Sequence, residues 1–213
     1  MLRIRWHGHS CFEITNEITL VTDPHDGKSI GIHAPDVLGD IILVSHDHYD
    51  HNSVESVEKE ESIVVKDGRI KTVLGVKIRG VGSFHDESAG RKRGKNIIYV
   101  FTMDNISFCH LGDLGHELDG DTVRQIGDVD VLFTPVGGNF TIDAEKAWNV
   151  INGIKPKIVI PMHYKIPNLT IKLQRVDAFL KEIGVEKQAV DHLPIKKKDL
   201  SNEEMRVIVM KIV

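Results

Sequence analysis

The chain has 213 residues, 41% of them hydrophobic and 27% charged, with a net charge of −4. That balance fits one globular domain with a sizeable core and excludes an intrinsically disordered chain. The slight acidity leaves no electrostatic footprint for nucleic acid or a membrane surface.

Residues 2–6, 11–15 and 18–22 are rich in β-branched and aromatic types and read as strands, the last two joined at Asn16-Glu17. The opening segment lacks the long apolar stretch of a signal peptide, and no run approaches the roughly 20 residues that span a bilayer, so a cytoplasmic location is expected. A loop over 24–39 leads to Asp40-Ile41-Ile42-Leu43-Val44-Ser45, a continuous apolar run expected of a strand covered on both faces. Ser53 as an N-cap, with Val54 and Val57 on one face, predicts a short helix over 53–61. Strands follow at 62–66, 69–73 and 76–81, then a polar loop over 83–95. A hairpin pairs 96–103 with 106–111 and turns at Asp104-Asn105.

Beyond that point helix and strand alternate. A helix is predicted over 121–126, a strand over 129–135, a helix over 143–153 with Asp143 as its cap, and a strand over 158–161. The longest helix is expected over 170–184, stopped by Gly184. Residues 207–213 close the chain as a strand. No repeat or linker interrupts the pattern, so residues 1–213 read as a single domain in which helices cover sheet layers. Cys11 and Cys109 stand outside any Cys-x-x-Cys pair and read as reduced, packed residues.

Twelve histidines is a high count, and half of them fall between His25 and His85. Imidazole is the commonest protein metal ligand, so the cluster points to chemistry. His46-x-His48-x-Asp50-His51 directly follows the buried strand. If the first residues stay extended, His46 and His48 point to one side and can share a metal. A turn after Tyr49 would aim Asp50 and His51 at a second ion. Imidazoles with one carboxylate suit zinc, and also iron or manganese. The bland alternative is a solvated polar turn, and four ligand-type side chains in six positions weigh against it.

This motif and its placement resemble the metallo-β-lactamase superfamily, whose signature is His-x-His-x-Asp-His after a buried strand. The resemblance runs the length of the chain and implies an α/β fold, a four-layer αββα sandwich with a dinuclear metal site at one edge. It also implies later ligands at strand ends: His85 in Gly82-Ser83-Phe84-His85, Asp113 in His110-Leu111-Gly112-Asp113, and His163 in Ile160-Pro161-Met162-His163. By that likeness His46, His48 and His85 would bind one ion, Asp50, His51 and His163 the other, and Asp113 would bridge them. Asp23 matches an early aspartate that hydrogen-bonds a ligand histidine, and a turn role before Pro24 fits it equally. Trp6-His7-Gly8-His9-Ser10, Gly90-Arg91-Lys92-Arg93-Gly94 and Gly112-Asp113-Leu114-Gly115-His116 are similar to the ascorbate-6-phosphate lactonase-like branch. His48 stands where the redox diiron branch has Glu, and no insertion is long enough for the RNA-holding arm of tRNA-processing relatives.

The resemblance implies two divalent ions, zinc foremost with manganese or iron as alternatives, and a metal-dependent hydrolase. A metal-held hydroxide, oriented by Asp50, would attack a small lactone, ester or amide, in one version bearing an anionic group. A phosphodiesterase or nuclease-type hydrolase of the same fold is the alternative, as is a non-catalytic metal-binding protein. Arg91 and Arg93 are candidate contacts to a substrate anion, against the ordinary reading of a solvated charged turn. Asn139, after Gly137-Gly138, is a candidate pocket residue or a turn residue. His116 is expected at the pocket mouth, contacting substrate or moving a proton. His9 is balanced between a structural role and support of the ligands. His7, His33 and His192 read as surface or loop, His25 as loop, and His110 as structural or supporting. A small-molecule substrate is expected, and neither membrane nor nucleic acid.

Overall fold

In the computed structural model, which describes residues 1–200 and 204–213, the apolar alternation of the first half builds a sheet with two buried faces. That sheet contains β1 (Leu2–Trp6), β2 (Phe12–Thr15), β3 (Thr19–Thr22), β4 (Ile41–Leu43) and β5 (Ile63–Val65), with Leu193–Ile195 added at the β1 edge. Phe12, Ile14, Leu20, Ile41 and Leu43 enter the main core, whereas Val21, Ile42 and Val44 turn the other way. This is the two-residue period of a pleated strand, expressed on both faces.

A second sheet holds β6 (Lys71–Val73), β7 (Val76–Phe84), β8 (Lys95–Met103), β9 (Ile106–His110), β10 (Val131–Pro135) and β11 (Ile158–Met162), with Arg206–Val207 at the β11 edge. The two sheets share one core. Phe12 of the first meets Phe133 of the second with ring centroids 4.4 Å apart, and both are fully buried. Helices α1 (Gly120–Ile126), α2 (Ala144–Ile154) and α3 (Val176–Ile183) pack on one another and join this core from the side of the second sheet. Asp119 and Asp143 cap α1 and α2 by accepting backbone N–H bonds from Thr122 and Lys146. No helix among the described residues is long and apolar enough to cross a membrane.

The layered α/β class is as expected from the sequence, with several local differences. Over 53–61 there is only a single 3₁₀ turn, Val54–Ser56. Backbone groups that a helix would consume go elsewhere: Val57 O accepts from Gly39 N, and Lys59 N donates to Ser62 Oγ. The outer face of the first sheet is therefore covered by this turn and by loop residues such as Val37, with Cys11, Val54 and Val57 filling a small second core.

The second difference is α3, which is shorter than α2 because residues 170–174 run outside it. Gln174 donates its N–H to Gly137 O and accepts from Lys165 N, and Thr170 N donates to Ile30 O. Tertiary pairing thus outweighs the helical apolar spacing. Third, the last segment changes partner. Arg206–Val207 extends the second sheet, while Val209–Met210 pairs with Ala189–Val190.

β7 reaches Phe84, three residues further than the sequence pattern, because its register with β8 continues to Phe84 opposite Lys95. That extension carries the chain directly to His85. Both cysteines are buried and unpaired. Truncating the ring that joins the two sheets, Phe133→Ala, is expected to destabilise the fold by about 3–5 kcal/mol. Urea unfolding of the purified variant measures it.

Candidate metal centre

Six strand ends meet at one edge of the sandwich. β1, β3 and β4 of the first sheet lead to His9, Asp23 and the 46–51 loop; β7, β9 and β11 of the second lead to His85, Asp113 and His163. Strand termini place side chains firmly while leaving a loop surface open on the far side. His9, Asp23 and His163 all have positive φ, at 52°, 37° and 50°. Such backbone strain in non-glycine residues persists where the surroundings enforce it, often at functional sites.

Asp113 lies at the centre. Its Oδ2 is 3.1 Å from His85 Nε2 and 3.2 Å from His163 Nε2, and its Oδ1 is 3.3 Å from His51 Nε2. Around it three groups of potential donors form: His46, His48 and His85; His9, Asp50, His51 and His163; and Asp23, His46 and His51, which overlaps the other two. Within each group the candidate atoms lie within 4.8 Å of one another. The seven residues expected as ligands are thus brought together, joined by His9.

Charge and hydrogen bonding both fit a cation. Asp23, Asp50 and Asp113 are 1%, 9% and 2% exposed, and the ion pairs described for them are with histidines alone. Three buried carboxylates need compensating positive charge. Burial opposes a charge on His51, yet Asp113 and Asp50 raise its pKa well above the usual histidine range. Burial likewise opposes the Asp113 carboxylate, and His163 and His51 hold it well below the usual carboxylate range. His46 is different: burial, then the His51 charge, pushes it down to about 3. Its Nε2 is buried without a hydrogen-bond partner. A neutral imidazole with an unused, inward lone pair is what a metal requires.

Residues behind the donors fix their orientation. Asp23 accepts from Ser45 N at 2.7 Å, from Ser45 Oγ at 2.7 Å and from His51 Nδ1 at 3.1 Å. With its proton given to Asp23, Ser45 Oγ accepts from His46 Nδ1 at 2.9 Å. Both bonds turn the histidine Nε2 atoms inward. Asn96 Oδ1 accepts from Asp113 N, and its Nδ2 donates to Leu111 O and Ser83 Oγ. A Cβ at Gly112, where φ is 57°, would lie 2.3 Å from Asn96 Oδ1. Gly137 has a similar reason, since a Cβ there would lie 2.1 Å from His163 O. Its role is close approach to a site residue. Sequence reasoning missed Ser45 and Asn96, because neither belongs to a metal-binding residue type.

A cavity of about 260 Å³ opens over the donors, with His48, Tyr49, Asp50, Arg93, Phe140 and Ile171 in its wall. Arg93 reaches it because Asp86 organises the basic loop, its carboxylate accepting backbone N–H bonds from Ser88, Gly90, Lys92 and Arg93. The Arg93 guanidinium carbon lies 4.2 Å from the Phe140 ring centroid. Arg91 is exposed and outside this wall. Asn139 lines an adjacent cavity and donates to Lys172 O.

His116 is not brought into the cavity. Its Nε2 accepts from Phe84 N and its Nδ1 donates to Glu117 O, so both ring nitrogens brace the backbone. His7, expected near the surface, is buried and bonded to Glu13 at 3.2 Å. His25 and His110 are pinned to the carbonyls of His7 and Ser10, and His33 and His192 are exposed.

Residues 3–163 match the family described as the beta-lactamase superfamily domain. A UPF0173 metal-dependent hydrolase of Thermoplasma volcanium is 31% identical over 187 residues, covering 76% of this chain and 83% of that protein. Its counterpart in Thermoplasma acidophilum is 28% identical over 200 residues, covering 83% and 87%. A crystal structure from Thermotoga maritima, of a candidate Zn-dependent hydrolase of the metallo-beta-lactamase superfamily, superposes with a TM-score of 0.81. It is 39% identical, covering 99% of this chain and 98% of the other.

Ser45→Ala removes one bond from Asp23 and one from His46, and is expected to weaken metal affinity about 10- to 100-fold. Competition with a chromophoric chelator reads this directly, and unchanged affinity would contradict the role given to Ser45.

Proposed function

The chain belongs to the metallo-β-lactamase superfamily and, within it, to the UPF0173 metal-dependent hydrolases, and on that premise we propose a two-metal hydrolase of small lactones, esters or amides that carry an anionic group. The observation that carries the dinuclear reading is Asp113. One buried carboxylate stands no more than 3.3 Å from His51, His85 and His163, which belong to two different donor groups. His46, His48 and His85 would hold one ion, Asp50, His51 and His163 the other, and Asp113 both. Zinc suits these nitrogen-rich sets, with manganese or iron as alternatives. When bound, such ions polarise a scissile carbonyl and lower the pKa of water.

The protein's own groups position and deprotonate. Asp50 stands in the cavity wall, where its carboxylate can accept a proton from attacking water. Against the effect of burial, His51 and His9 keep that carboxylate below its usual pKa. His9 orients it, with Nε2 3.0 Å from Asp50 Oδ2. Burial, then the neighbouring His163, pushes His9 down to about 3, so the ring is neutral and carries one proton. Its Nδ1 is buried without a partner. The proton therefore sits on Nε2 and is donated to Asp50, because the other tautomer would bury an unpaired N–H. Arg93, stacked on Phe140, presents a guanidinium suited to a carboxylate or phosphate on the substrate. The cavity's size suits a small molecule, and the lactonase-like segment Trp6-His7-Gly8-His9-Ser10 favours lactones and esters over phosphodiesters.

Elemental analysis of protein purified without chelator is expected to give two ions per chain, and Asp113→Ala no more than one. Two ions retained in that variant would overturn the dinuclear assignment. Turnover of a lactone and ester panel against bis-p-nitrophenyl phosphate separates the substrate classes, with the panel expected to dominate. His9→Ala should keep the two-ion stoichiometry while lowering kcat at least tenfold; outright loss of one ion would make His9 a ligand instead. Stripping the metals with chelator should lower the melting temperature measurably, since three buried carboxylates then lose their counter-charge.

A further inference from the structure

A second and larger cavity, about 700 Å³, adjoins the first, and the two share His48 and Arg93 in their walls. Three cations from two segments line it: Lys66 just after β5, and Arg93 and Lys95, two residues apart where the loop enters β8. None of the three has an ion-pair partner among the described residues. That contrasts with Lys59, Lys71 and Lys146, which are paired to Asp40, Asp67 and Glu87. Three unpaired cations at one cleft are notable in a chain of net charge −4. Val44 and Ile97 supply an apolar wall beneath them, and His46 and His48 form the side toward the donor cluster. Asp47 is the one carboxylate in the lining, and its Oδ1 accepts from Asn52 Nδ2.

We infer that this cleft binds the anionic end of the substrate, a carboxylate or phosphate on a short hydrocarbon stem, while the scissile bond lies in the smaller cavity. The inference rests on the hydrolase reading and gives it a direction: the anion is held by Lys66, Lys95 and Arg93, on the His46 side, with Arg91 uninvolved. Arginine supplies a planar fork for two oxygens and the lysines supply mobile point charges. The apolar wall accommodates the stem, and the three cations, all exposed, draw an anion toward the cleft.

The test uses the metal-loaded full chain and two chromogenic esters, p-nitrophenyl butyrate and mono-p-nitrophenyl glutarate. The wild type is expected to favour the anionic ester in kcat/KM by at least tenfold. In Lys66→Ala/Lys95→Ala that ratio should fall toward one, and in Lys66→Glu/Lys95→Glu below one. Lys77→Ala, near the start of β7, should retain the wild-type ratio. Equal ratios in all proteins would overturn the cleft assignment while leaving hydrolysis intact. If neither ester is turned over, ester hydrolysis itself fails, and calorimetric titration with inorganic phosphate decides the cleft independently. Binding weakened at least tenfold by the double alanine variant supports it; identical binding overturns it.

Discussion

Three carboxylates buried together, with no lysine or arginine paired to them among the described residues, set the terms for the whole edge of this sandwich. Asp23, Asp50 and Asp113 can be tolerated there only if positive charge is supplied, and the histidines are the groups placed to share or transmit it. The scaffold follows from that need. Asp23 and Asp113 follow the ends of β3 and β9, Asp50 lies in the loop after β4, and imidazoles flank all three. His51 gives its Nδ1 proton to Asp23, and His46 gives its own to Ser45. The remaining ring nitrogens converge, and the resulting cage suits a divalent ion better than a proton.

The clustering of the candidate donors was legible in the sequence because they are few in type and dense in spacing. His46, His48, Asp50 and His51 follow an apolar run that had to be a buried strand, and the isolated partners His85, Asp113 and His163 each close a strand of their own. What the sequence concealed was the support. Ser45 and Asn96 act through hydrogen bonds to Asp23, His46 and Asp113, and their residue types occur everywhere. Histidine count misled in the opposite direction. His116 carries the right chemistry but spends both ring nitrogens on backbone groups of Phe84 and Glu117.

The misjudged elements share one cause. The apolar spacing over 170–184 is helical, yet residues 170–174 are drawn to the loops at Gly137 and Ile30 by backbone bonds. Over 53–61 the same competition leaves one 3₁₀ turn. Of the two segments, 170–174 borders the site: Ile171 enters the wall of the smaller cavity, and Asn139 is tied to Lys172 O. In the basic loop the decisive residue is Asp86, whose carboxylate gathers four backbone N–H groups and so determines which arginine faces inward.

His163 donates its backbone N–H to the carbonyl of His9, which also accepts from the Trp6 indole. The first strand and the last of the ligand-bearing strands are thereby tied at the donor cluster, with most of the chain between them. A polypeptide emerging from the ribosome has the His46–His51 cluster early, but it cannot close the cage until β11 has been synthesised and docked. Closing so long a loop has an entropic cost that only a formed core can offset. The full set of donor spacings therefore exists only in the finished sandwich, whose strand ends dictate it, and not in the nascent segment.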